Sequence, residues 1–109
     1  MRNDFGISEK SFRLLLETLQ KFSDDIEEAV IFGSRALGNY KNGSDIDIAL
    51  KGKNLNFDKI LKISTILNRE ISSPYKFDVV NYSEIENDDL KNHINKFGKE
   101  INFKNKLYG

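Results

Sequence analysis

The chain has 109 residues, which is enough for one domain with a single modest hydrophobic core and too few for two. Apolar residues make up 39% and charged residues 31%, a balance typical of a globular protein rather than a disordered one. Lysine plus arginine and aspartate plus glutamate each number 17, so we expect no strong direct binding to nucleic acid. The absence of cysteine excludes a disulfide framework and a thiolate metal site.

The sequence carries no signal for a membrane location. Its N-terminus is polar, and no apolar run approaches the roughly 20 residues that span a bilayer. We therefore expect a cytoplasmic protein without membrane contact. A single domain is predicted over residues 1–109, with a core at about 8–101 and a weakly anchored C-terminal tail at 102–109.

The first third of the chain predicts a helix, a strand and a short helical turn. Ser8 is a suitable N-cap, and apolar residues then recur at helical spacing. These residues are Phe12, Leu15, Leu16, Leu19 and Phe22. Residues 29–32 form a fully apolar strand, and residues 35–38 fit one helical turn after it.

The stretch from Ser44 to Leu50 alternates in the period-two pattern of a strand with two different faces. One face carries Ile46, Ile48 and Leu50, and the other carries Asp45, Asp47 and Ala49. The pattern therefore predicts that both carboxylates project from the same side of a sheet.

The following residues predict a strand–helix–strand unit. Residues 57–71 have the apolar spacing of a helix, which Pro74 cannot continue, and residues 76–82 predict a third strand. A connection of this length implies a right-handed crossover between parallel strands. We therefore expect Asp78 to lie near the two aspartates of the preceding strand.

A last helix is predicted to open at Asn87 and to be broken or ended by Gly98. Its apolar stripe consists of Leu90, Ile94, Phe97 and Ile101. His93 lies on this helix, far in sequence from the aspartates, and simple exposure is the interpretation we favour. The predicted fold class is α/β (α+β), a small mixed sheet flanked by helices in the order α-β-(short α)-β-α-β-α.

The turn after the first strand and the aspartates of the next two strands have the chemistry of a phosphate and metal site. Magnesium prefers oxygen ligands, usually one or two carboxylates together with phosphate oxygens and water. Asp45 and Asp47 on one strand face provide two such ligands, and Asp78 provides a third. Gly33 permits close approach of a phosphate to the backbone, and Ser34 offers a hydroxyl and an amide at the start of a helical turn.

Two further residues of this loop are candidate nucleotide ligands. Arg35 is predicted to contact the phosphates, with a solvated surface charge as the alternative. Ser44 either forms hydrogen bonds near the metals or forms the turn.

Gly33-Ser34, ten intervening residues and then Asp45-Ile46-Asp47 resemble the signature of the DNA polymerase β-type nucleotidyltransferase superfamily. The chain is most similar to its small, stand-alone minimal nucleotidyltransferase (MNT) domains, over roughly residues 8–101. The strings that carry the resemblance are IFGSRALG, SDIDIAL and KFDVVNY. The resemblance implies the nucleotidyltransferase fold, with two Mg²⁺ ions held by the three aspartates and a nucleoside triphosphate held at the Gly-Ser turn.

The same resemblance implies a biological setting. Proteins similar to this one occur beside HEPN-domain toxins and act as antitoxins that transfer AMP from ATP onto a tyrosine of the toxin. Larger members of the superfamily carry an added acceptor-binding domain, for which these 109 residues leave no room. We therefore expect a protein partner to bring its own binding surface. A non-catalytic antitoxin that acts by complex formation is the alternative, and an enzyme acting on a small molecule ranks third.

Overall fold

The computed structural model describes residues 5–41, 45–71 and 75–104. It contains the helices α1 (Glu9–Lys21), α2 (Ser34–Leu37), α3 (Phe57–Glu70) and α4 (Asp88–Phe97), the strands β1 (Glu28–Phe32), β2 (Ile46–Lys51), β3 (Phe77–Asn81) and β4 (Lys99–Glu100), and a 3₁₀ turn at Tyr82–Glu84. The predicted fold class and order of elements are confirmed, and β4 is an addition to them. No helix within the described ranges is long and apolar enough to cross a membrane.

The strands form one mixed sheet in the order β3-β2-β1-β4. Strand β1 is antiparallel to both of its neighbours, whereas β2 and β3 are parallel. The crossover between β2 and β3 contains α3, as the sequence predicts. The predicted pairing of the second and third strands is therefore confirmed.

Each long helix begins at a polar side chain that accepts a hydrogen bond from a first-turn amide. Ser8 Oγ accepts from Ser11 N at 3.2 Å, and Asn56 Oδ1 accepts from Lys59 N at 2.9 Å. Asn87 caps α4 in the same way, by accepting from the amide of Leu90 at 3.1 Å. Such caps satisfy amides that have no partner inside the helix and set where each helix starts.

The sheet separates two hydrophobic clusters. The larger cluster contains the apolar faces of α1 and α3 together with Ile46, Ile48 and Leu50 of β2. The smaller cluster lies on the opposite face, where Ile94 of α4 packs on Val30, Phe32 and Ala49. The predicted division of β2 into two faces is thus confirmed, and its aspartates share the α4 face.

The end of the described chain differs from the sequence-based prediction. Gly98 is extended and ends α4, after which Lys99–Glu100 pairs with β1 and Ile101 N donates to Ala29 O at 2.8 Å. Ile101 therefore belongs to an extended segment and not to the helical stripe. Phe103 is 2% exposed and lies in the larger cluster, so the prediction of a weakly anchored tail from residue 102 is wrong at this residue.

Arg35 is predicted from the sequence to contact phosphates or to be a solvated surface charge, but its side chain is only 3% exposed. Its Nη1 donates to the carbonyls of Phe5 at 3.0 Å and Gly6 at 3.3 Å. Its guanidinium lies 4.5 Å from the ring centre of Tyr40 and 5.8 Å from that of Tyr75. A buried guanidinium with these contacts joins α2 to the segment before α1, so we interpret Arg35 as a structural residue and not as a phosphate ligand.

Replacing Arg35 with leucine is expected to lower the free energy of unfolding by roughly 2–4 kcal/mol, because two backbone carbonyls, one of them buried, lose a charged donor and two rings lose a cation. Urea denaturation measures this difference. Arg13→Leu is the matched control, since Arg13 is 57% exposed and pairs with Glu9 on the surface of α1. It should cost less than about 0.5 kcal/mol. Equal losses of stability in the two variants would contradict the structural role of Arg35. Lost nucleotide binding at unchanged stability in Arg35→Leu would also contradict it.

Candidate active site

Three residues of adjacent strands lie side by side on the α4 face of the sheet. Phe32 of β1 is in register with Asp47 of β2, and Asp47 is in register with Asp78 of β3. Asp45 precedes β2 by one residue and belongs to the same alternating face. The predicted proximity of Asp78 to Asp47 is therefore confirmed by the strand register.

The surroundings of Asp47 disfavour the ionised form of its carboxyl group. Burial has the largest effect and raises its pKa, and the charges of Asp78 and Asp45 raise it further. A protonated His93 nearby would lower that pKa. Asp45 and Asp78 are themselves exposed, so the central carboxylate carries most of the desolvation cost.

Gly33 follows β1 and brings the chain against Asp47. Its φ of 74° and ψ of −152° lie in a region that residues with a Cβ rarely adopt. A Cβ at this position would overlap Oδ2 of Asp47. Both the backbone conformation and the contact with Asp47 therefore require glycine.

The hydrogen bonds of Gly33 decide which groups of the turn can bind a ligand. Its carbonyl accepts from the amides of Ala36 at 3.2 Å and Leu37 at 3.1 Å, and its amide donates to Nε2 of His93 at 3.0 Å. Among the described residues no hydrogen bond occupies the amide or hydroxyl of Ser34. Ser34 is therefore the residue of the turn that can offer donors to a phosphate.

The interpretation of His93 as a simple exposed residue is wrong. It is partly buried, lies edge-on to Phe32 with ring centres 6.3 Å apart, and is 5.5 Å from the ring of Phe97. The sequence did contain a signal for this position. His93 follows Leu90 by three residues and precedes Phe97 by four, so it belongs to the apolar stripe of α4.

The predicted ligand set is only partly described by the structure. Ser44 lies outside the described residues. In the described parts of the chain, no three His, Cys, Asp or Glu side chains already form a metal site. The donor chemistry nevertheless fits a hard divalent cation, because Asp45, Asp47 and Asp78 offer only carboxylate oxygens and a cation would relieve the repulsion on Asp47.

Asp47→Asn is expected to stabilise the metal-free protein at neutral pH, by on the order of a few degrees in Tm. An acid whose folded pKa is raised loses stability as pH increases from its unfolded value of about 3.9 through the folded pKa. The amide cannot ionise, so this loss should disappear in the variant. Thermal unfolding in EDTA across this pH range measures the effect.

Exposed Glu17 of α1 provides the control for that measurement, since Glu17→Gln removes a carboxylate away from the sheet. Magnesium should reduce the difference in Tm between wild type and Asp47→Asn. It should not change the difference in Tm between wild type and Glu17→Gln. An Asp47→Asn protein with the same pH profile as wild type would show that repulsion at this position is unimportant.

Comparison with known proteins agrees with this geometry. The chain matches the family described as Polymerase beta, Nucleotidyltransferase over residues 15–107. It is 31% identical over 96 residues to a candidate protein adenylyltransferase of Methanocaldococcus jannaschii, covering 87% of this chain and 83% of that protein.

Two solved structures of similar fold are toxin–antitoxin complexes. One complex with AMP-PNP aligns at a TM-score of 0.63 and 21% identity, covering 86% of this chain and 72% of that one. The MntA–HepT pair aligns at a TM-score of 0.63 and 17% identity, covering 85% and 70%. At these identities the likeness shows a common fold. Together with the family match over most of its length, it shows that the chain belongs to the polymerase β-type nucleotidyltransferase family and is a nucleotidyltransferase.

Proposed function

We propose that the protein is a magnesium-dependent adenylyltransferase that transfers AMP from ATP onto a hydroxyl of a protein partner, a tyrosine of a HEPN-type toxin, and so acts as its antitoxin. The observation that carries the proposal is the register of Asp47 with Asp78 beside the Gly33-Ser34 turn. In this arrangement the carboxylates lie next to the turn that would bind the phosphates of ATP.

The names of similar proteins support the proposal that the acceptor of AMP is a protein. The relative from M. jannaschii is named as an adenylyltransferase that acts on protein. Two similar solved structures are toxin–antitoxin complexes, one of them with AMP-PNP. An antitoxin that modifies its toxin accounts for both names.

The reaction assigns a separate task to each residue of the site. Ser34 would bind phosphate oxygens of ATP through its amide and hydroxyl, while Gly33 holds the turn against Asp47. Asp45, Asp47 and Asp78 would hold two magnesium ions, which when bound neutralise phosphate charge and favour the deprotonated acceptor. Asp78, which is exposed on β3, would receive the proton of the acceptor hydroxyl. The hydroxyl oxygen then bonds to the α-phosphorus as the bond to the β-phosphate oxygen breaks, and pyrophosphate leaves.

The surface beside Asp78 suits a protein acceptor. β3 is an edge strand, and a groove of about 530 Å³ follows it, lined by Ile60, Val79, Val80 and Ile85 among others. Phe57 at its rim is 77% exposed, and Leu61 one turn later is 53% exposed. Exposed apolar side chains grouped in this way are typical of protein contacts. The acceptor partner would therefore pack along the same strand that carries Asp78.

The test is to incubate the full chain with ATP labelled in the α-phosphate, magnesium and the protein encoded beside it. Label should appear on the partner in wild type, and Asp45→Asn plus Asp47→Asn should reduce the rate at least about 10³-fold because the metal ligands are lost. Replacing the acceptor tyrosine, located by mass spectrometry, with phenylalanine should also abolish labelling. Wild-type protein that leaves the partner unlabelled would overturn the proposal.

Glu17→Gln is the control for this experiment, since it removes a carboxylate from the outer face of α1 and should leave the rate unchanged. Growth of cells that express the toxin separates the proposal from the non-catalytic alternative. If the double aspartate variant still neutralises the toxin fully, complex formation is sufficient and transfer of AMP is not the antitoxin mechanism.

A further inference from the structure

His93 connects α4 to the start of the candidate phosphate-binding turn. Its Nε2 accepts a hydrogen bond from the amide of Gly33 at 3.0 Å, across 60 positions of sequence. The ring is held edge-on by Phe32, the residue before Gly33, and lies 5.5 Å from Phe97 on its own helix. An imidazole that contacts two aromatic rings and is hydrogen-bonded at one nitrogen has little freedom to move.

We propose that His93 is a positioning residue for nucleotide transfer, which fixes the Gly33 amide and thereby the Gly33-Ser34 turn in the geometry that binds the phosphates. The proposal rests on the function proposed above and adds a residue to its site. His93 touches no reacting atom in this role. It acts through the backbone of Gly33.

The turn needs such support because of its conformation. Gly33 has the least restricted backbone of any residue type, and here it must hold a φ of 74° beside Asp47. Its carbonyl is already bonded to the first turn of α2, so the amide is the remaining group through which the turn can be fixed. The hydrogen bond from Gly33 to His93 fixes it and leaves the Ser34 donors for the ligand.

The direction of the bond also defines the protonation of the ring. A nitrogen that accepts from an amide carries no proton, so Nε2 is bare and the neutral imidazole has its proton on Nδ1. This tautomer is a direct consequence of the contact. It can be observed without any substitution, since the chain has one histidine.

Two substitutions separate the hydrogen bond from the packing of the ring. His93→Leu keeps apolar bulk against Phe32 and Phe97 but removes the acceptor, whereas His93→Gln keeps a side-chain acceptor on a flexible stem. Asn92→Leu is the matched control, because Asn92 is the exposed neighbour on the same helix. The affinity for AMP-PNP with magnesium is measured by titration calorimetry on the full chain, and KM for ATP and kcat are measured with the partner.

His93→Leu is expected to weaken AMP-PNP binding and to raise KM for ATP by up to about tenfold, the effect of one ordinary hydrogen bond. The value of kcat should change less, since the carboxylates stay in place. His93→Gln should retain most of the affinity, and Asn92→Leu should bind like wild type. Equal affinities of His93→Leu and Asn92→Leu, or a glutamine variant as weak as the leucine variant, would overturn the proposal.

Nitrogen NMR of the histidine ring at pH 8 provides a measurement that does not depend on a variant folding. A bare Nε2 and a protonated Nδ1 are expected, and a proton on Nε2 would overturn the proposal. The two proposals also fail differently. If wild type binds no AMP-PNP, the proposed function fails and the role of His93 fails with it. If His93→Leu binds AMP-PNP as tightly as wild type, only the proposed role of His93 fails.

Discussion

The repulsion among three carboxylates at the neighbouring strands β2 and β3 is the constraint that the rest of the structure must satisfy. Burial and the neighbouring charges of Asp78 and Asp45 all disfavour the ionised form of Asp47. A flexible chain would separate such groups. Here the strand register fixes Asp47 beside Asp78, so a bound cation would find ligands whose repulsion has already been overcome by folding.

The free energy for holding this arrangement comes from the opposite face of the sheet. Ile46 and Ile48 flank Asp47 in the chain and are fully buried in the cluster formed with α1 and α3. A shift of β2 by one residue would expose these side chains and bury the aspartates, at a cost of several kcal/mol from lost apolar burial alone, by rough estimate. The hydrophobic alternation therefore sets the position of the acidic residues. This explains why a modest hydrophobic core is sufficient to hold the aspartates in position.

The parts that could be predicted from the sequence are those set by local pattern. Alternation in β2 showed which side chains share a face, and the length of the α3 crossover showed that β3 would be parallel and adjacent. The parts that could not be predicted depend on pairing between distant residues. Two residues of β4 have too short a pattern to indicate a strand, and their pairing depends on the free edge of β1. Likewise, a charged residue next to Ser34 suggested phosphate binding, but the carbonyls of Phe5 and Gly6 that Arg35 binds belong to another segment.

His93 shows how one missed residue changes the account of the site. From the sequence alone, Gly33 is predicted to let a phosphate approach the backbone, and Ser34 to offer it a hydroxyl and an amide. In the folded chain the Gly33 amide donates to His93 of α4, whose ring packs against Phe32, so Gly33 anchors the turn and Ser34 keeps donors that could bind a phosphate. The two residues of the Gly-Ser turn thus have different tasks. Glycine is required because a Cβ would overlap Asp47, whereas the donors of Ser34 are available to a ligand and the amide of Gly33 is already hydrogen-bonded. The candidate phosphate-binding turn, the strand that carries Asp47 and α4 therefore meet at Gly33, and one hydrogen bond from its amide joins α4 to the proposed site.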